Sequence, residues 1–151
     1  MSSYTQPMSS YTQQVSFDSS QFSSFDYQQA LQPRTVSNSP GPFTLSLNLI
    51  EGRRLNGSNV YCKIRIGCQT FKSGVMHHTT SPMWNTTYSS TIYSQSDPVS
   101  VRVFTKKTFR NVKLGEITID VPKYTLGDSV KRWYPFAGGE MHIGITISKF
   151  Q

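Results

Sequence analysis

Six cations in two short stretches carry most of the chemistry this sequence offers. Arg53 and Arg54 lie in EGRRLNGSN, and Lys106, Lys107, Arg110 and Lys113 lie in TKKTFRNVK. Phe109 sits inside the second group, and an aromatic ring flanked by Lys and Arg suits the boundary between water and lipid headgroups. Lys63, Arg65 and Lys72 form a second basic set. They have outward parity on adjacent strands, alternating in part with Cys62, Ile64 and Ile66. Attraction of anions is the chemistry these residues share. Nothing supports catalysis: there is no Gly-x-Ser-x-Gly elbow, no phosphate-cradling loop and no Cys-His pair with an orienting partner. The eight acids and three histidines show no telling spacing. His77 and His78 are neighbours in a loop with no third metal ligand near in sequence, His142 reads as a packing or solvated residue, and Trp84 as a packing residue. No enzyme, metal or cofactor follows from these residues.

The elements that must hold these side chains are strands. Phe43, Leu45, Leu47 and Leu49 recur at every second residue, as do Cys62, Ile64 and Ile66, the period of a half-buried antiparallel strand. Gly52, Asn56 and Gly57 punctuate the connection between these two runs. Phe71, Ser73 and Val75 then face one way and Thr70, Lys72 and Met76 the other. A loop HHTTSPMWN leads to the β-prone run TTYSSTIY at 86–93, and Val99, Val101 and Val103 mark the next strand. Leu114, Ile117 and Ile119, then WYPF at 133–136 and MHIGITIS at 141–148, complete about eight strands, with a short helical piece around Lys123–Asp128. Few helix signals and regular turns predict an all-β sandwich.

Residues 1–42 differ in kind. They are rich in Ser, Gln, Tyr and Thr, open on the duplication MSSYTQ at 1–6 and 8–13, and hold few branched aliphatic residues. Such a segment cannot bury enough surface to offset its ordering entropy, so it reads as a low-complexity tail. It is either passive or an arm that orders on a partner through Tyr4, Tyr11, Phe17, Phe22, Phe25 and Tyr27. The tail carries one cation against two acids, net −1, whereas residues 43–151 carry fourteen against six, net +8. A domain so charged favours anionic partners. No run is long and apolar enough for a bilayer span and the N-terminus lacks a signal-peptide pattern, which predicts a soluble, cytoplasmic protein. In a reducing compartment Cys62 and Cys68 read as small core residues, not a disulfide.

In register along residues 43–149 the chain resembles the C2 domain, a calcium- and lipid-binding β-sandwich. Ser58-Asn59-Val60-Tyr61 stands where that family has Ser-Asp-Pro-Tyr, and Ser81-Pro82-Met83-Trp84-Asn85 where it has Asn-Pro-x-Trp-Asn. Leu114-Gly115 closes the third loop, and Trp133-Tyr134, Gly139-Glu140 and the final alternating strand complete the pattern. The resemblance implies an eight-stranded antiparallel sandwich of the phospholipase C topology. It also implies that loops 51–60, 77–85 and 105–113 gather at one end. The family's calcium-binding aspartates fall at Asn59, Thr105 and Lys107, and a hard cation needs several anionic oxygens in one small volume. Calcium binding is therefore not expected.

Instead, Arg53, Arg54, Lys106, Lys107 and Arg110 are expected to converge there around Phe109. Some family members hold phosphoinositide headgroups on the outer strand face, which is the precedent for Lys63, Arg65 and Lys72. Two partner classes follow: anionic phospholipid at a membrane surface, or an acidic protein surface in a cytoskeletal or ciliary assembly, with the tail ordered on partners. Nucleic acid ranks below both, because neither a reading helix nor stacking aromatics on a sheet are apparent.

Overall fold

A computed structural model describes residues 34–150, and the aromatic residues singled out in the tail lie outside them. Two four-stranded antiparallel sheets pack face to face. One has the order β4-β1-β8-β7, formed by Met83–Ile92, Phe43–Arg53, Gly139–Lys149 and Ser129–Phe136. The other has the order β3-β2-β5-β6, formed by Gln69–Lys72, Val60–Ile66, Val99–Lys106 and Asn111–Thr118.

The inward parity read from the sequence builds the core. Leu45, Leu47 and Leu49 of β1 meet Ile147, Ile145 and Ile143 of β8 in register, and all are fully buried. From the facing sheet Cys62, Ile64 and Ile66 pair with Val103, Val101 and Val99. Each large aliphatic side chain among these contributes about 1.5–3 kcal/mol on leaving water. Trp84 is also buried, and its indole N–H donates to the Gly74 carbonyl at 2.9 Å. Asn85 beside it takes φ of 49°, a left-handed conformation Asn tolerates better than most residues.

Four expectations change. The third strand ends at Lys72, and Ser73 turns inward to accept the Cys62 N–H at 2.8 Å. The helical piece is a single 3-10 turn at Val121–Lys123, ahead of the expected position. Cys68 is exposed, because Gly67 at φ 62° ends the alternation that buries Cys62. Part of the segment 34–42 is anchored on the domain, at Thr35 and Val36. Val36 is buried in the core, its N–H donates to Tyr124 O at 3.0 Å, and Thr35 bridges Thr125.

Candidate functional site

The basic outer face of the sheet β3-β2-β5-β6 is built by register. Lys63 lies between Lys72 on one side and Arg102 on the other, and Arg65 stands two residues along β2. Directly opposed side chains on one face are about 5 Å apart, so three cations form one row across three strands. Arg102 has the same outward parity, between the buried Val101 and Val103, and the alternation of Val99, Val101 and Val103 is the signal that places it there. Among the described residues, none of these four cations has a carboxylate within 4.0 Å. Glu116 opposes Arg102 yet is held by Lys113 at 2.9 Å.

Aromatic rings pave the next row. Tyr61 and Phe104 oppose each other and stack, centroids 5.2 Å apart at 11°. Lys72 Nζ lies 4.8 Å from the Tyr61 centroid and Lys63 Nζ 5.3 Å from that of Phe104. The rings hold the two ammonium groups in place by cation–π attraction. The stack is capped, since Tyr61 is 1% exposed, and so it offers no open platform for a nucleobase.

The three loops do gather at one end. Lys106 N–H donates to Asn59 O at 2.7 Å, His78 N–H to Asn59 Oδ1 at 3.0 Å, Thr79 N–H to Ser58 O at 3.0 Å and Leu55 N–H to Thr80 O at 3.1 Å. Between them lies an open, polar cavity of about 550 Å³, lined in part by Asn56, Ser58, Asn59, Thr80, Lys106 and Thr108. The residues at the family's ligand positions do not fit calcium. Asn59 is spent on these hydrogen bonds, Thr105 is 3% exposed and lies against Gly57, and Lys107 brings a positive charge. No acid occurs in 52–60, 77–85 or 105–113, and the described residues contain no cluster of three metal-ligating side chains. Lys107 N–H donates to Arg110 O at 2.8 Å, closing the tip of the third loop. That turn leaves Phe109 97% exposed, with Lys106, Lys107 and Arg110 around it.

Two expected members of this loop cluster stand elsewhere. Arg53 donates to Glu140 and its guanidinium lies 3.8 Å over the Trp133 ring. This hydrogen bond, with Arg54 also near, holds the Glu140 carboxyl below the usual range. Lys113 sits in β6 opposite Phe104, on the basic sheet face rather than at the loop tip. Arg54 is exposed, 3.6 Å from Glu140. His142 stacks on Trp133 at 4.7 Å, with Nδ1 3.4 Å from Glu51, so it is a packing residue. His77 and His78 have ring centroids 6.1 Å apart, and neither is buried.

Comparison with known proteins agrees with this architecture. The family model for the C2 domain matches residues 43–136. Rat extended synaptotagmin-1 is 31% identical over 100 residues, which is 66% of this chain but 9% of that protein. GTPase activating protein 1 of Oryza sativa subsp. indica is 33% identical over 69 residues, 46% of this chain and 42% of the relative. Among solved structures, a single C2 domain of plant extended synaptotagmin 1 superposes with TM-score 0.66 at 12% identity. The match covers 75% of this chain and 98% of that one. A calcium-bound pair of C2 domains from extended synaptotagmin 2 gives 0.63 at 25% identity, covering 72% and 47%. No described helix is long and apolar enough to cross a membrane. The chain belongs to the C2 domain family.

Proposed function

We propose that this C2 domain is a non-catalytic, calcium-independent module that docks on anionic phospholipid through its basic sheet face and third loop. The observation that carries the reading is the unpaired row Lys72–Lys63–Arg102 with Arg65 beside it. Each cation near an anionic leaflet contributes roughly 1 kcal/mol, within a Debye length of about 8 Å at physiological salt. Four of them on one face support reversible, salt-sensitive association. Phe109 offers an apolar ring at the loop tip for the interface. The polar loop cavity supplies hydrogen-bond donors and two lysines, Lys106 and Lys107, but no carboxylate for an ion.

A second reading is docking on an acidic protein surface, and it is favoured by the breadth of the basic face across three strands. The two separate in vesicle co-sedimentation with and without phosphatidylserine or a phosphoinositide, each in chelator and in calcium. Binding to anionic vesicles that weakens with salt and ignores calcium supports the lipid reading. Binding that requires calcium overturns it, and no binding to any vesicle leaves the protein partner.

A further inference from the structure

We propose that β4 is a self-pairing edge. Two copies of this chain join antiparallel along Met83–Ile92, about a two-fold axis at Tyr88. The sandwich has four edges, and three are protected against pairing. β3 is four residues long and ends on Lys72. β6 carries Lys113 and Glu116 and a register shift against β5. β7 carries Lys131, Arg132 and Pro135. Short length, charge, proline and bulges are the devices that keep edges from meeting. β4 has one only at its start, where its register against β1 shifts beside the left-handed Asn85. From Thr86 to Ile92 it has none, and MWNTTYSSTI as a whole is ten residues without a charge or a proline. Among the described residues its only strand partner is β1.

Side-chain parity selects a second copy and a register. Residues directly opposed in an antiparallel pair share a face. Thr87, Ser89 and Thr91 pair with Asn48, Ser46 and Thr44 on the outer face, whereas Tyr88 pairs with Leu47 on the inner one. Self-pairing about a two-fold axis therefore centres on one residue and not between two. Centred on Tyr88, it opposes Thr87 to Ser89 and Thr86 to Ser90 of the second copy. It also brings Met83, beyond the irregularity at Asn85, towards the second copy's Tyr93 just past the end of its β4. Met83 and Tyr93 are 62% and 70% exposed, two of the four large apolar side chains left in solvent among the described residues. They flank opposite ends of β4, so one antiparallel pairing covers both pairs at once. The seam is neutral in a domain of net +8, which removes the like-charge repulsion the other edges would meet. Because β7 at the far side of the sheet is protected, growth stops at two copies.

The test is sedimentation of the full chain from micromolar to near-millimolar concentration at physiological salt, with the expected outcome a shift from 17.1 kDa to twice that mass. Thr87 and Ser89 lie on the outer face of the sheet, where lysine side chains reach solvent. Thr87→Lys with Ser89→Lys places like charges opposite each other twice, and is expected to weaken the dimer about tenfold. Thr87→Glu with Ser89→Lys places Glu against Lys twice and is expected to restore it. A chain monomeric throughout, or a Lys/Lys variant that dimerises like the parent, overturns the proposal. Equal loss in both variants also overturns it, because the Tyr88-centred register is then wrong.

Discussion

Replacing Lys63, Lys72 and Arg102 together by Gln removes the whole row of charge from the outer sheet face while leaving the sandwich interior untouched. Lys63 faces Lys72 and Arg102 directly in register, so a single anionic headgroup over β2 lies within a Debye length of all three. At roughly 1 kcal/mol each, the three contribute about 3 kcal/mol, or on the order of a hundredfold in vesicle affinity. Each single change is expected to cost about fivefold on the same scale. The salt dependence of binding should flatten in the triple variant, since fewer counter-charges are exchanged. Lys131→Gln with Arg132→Gln removes exposed charge from β7, in the other sheet. That control is expected to stay within about twofold of the parent, because screening confines the effect to nearby charge. Vesicle co-sedimentation with titrated salt reads both variants, and thermal melting checks that each is folded. A triple variant that binds like the parent refutes the reasoning, as does a β7 control that loses as much.

Three further outcomes follow from the interior and the loop end. Burial pushes the Cys62 thiol well above its ordinary value of 9.0. The unfolded chain therefore loses its proton first, and the stability held below about pH 9 falls by about 1.4 kcal/mol per pH unit above it. Cys62→Val should reduce that slope in denaturant titrations up to about pH 9.5, leaving the part that Tyr124 and Tyr88, both also raised by burial, contribute as the pH nears the ordinary tyrosine value of 10.0. A Cβ at Gly57 would lie 2.5 Å from Thr105 Cβ; Gly57→Ala is expected to cost about 1–3 kcal/mol in chemical unfolding. Trp84→Phe keeps most of the apolar volume and leaves the Gly74 carbonyl its second donor, the Ser73 hydroxyl at 3.0 Å, so it is expected to cost only about 0.5–1.5 kcal/mol, while Trp84→Ala is expected to cost about 3–5 kcal/mol in the same measurement.

Strict alternation made β1, β2, β5 and β8 legible from the sequence, and with them Lys63, Arg65 and Lys72 on the outer face. Arg53 reads as a loop residue because the alternation stops at Leu49 and Gly52 follows, whereas β1 runs on to Arg53 across a register shift between Leu49 and Glu51. Arg53 therefore lands against Glu140 and Trp133 instead of the loop end. Cys68 escaped for a related reason, since the turn at Gly67 resets parity. Tyr61 has outward parity, and only the stack with Phe104 and the cover of Lys72 bury it. Those contacts join residues from three strands, so no local pattern announces them. The packing of Val36 near Tyr124 is equally non-local.

The carboxamide of Asn59 has a consequence for timing. Where an ion bridges loops of this kind, their order rises and falls with its concentration. Here the Asn59 carboxamide and a handful of backbone bonds tie the same loops to one another. On the proposed calcium-independent reading the loop end is then the same object at rest and during a passing signal, and its occupancy follows what the opposing surface is made of.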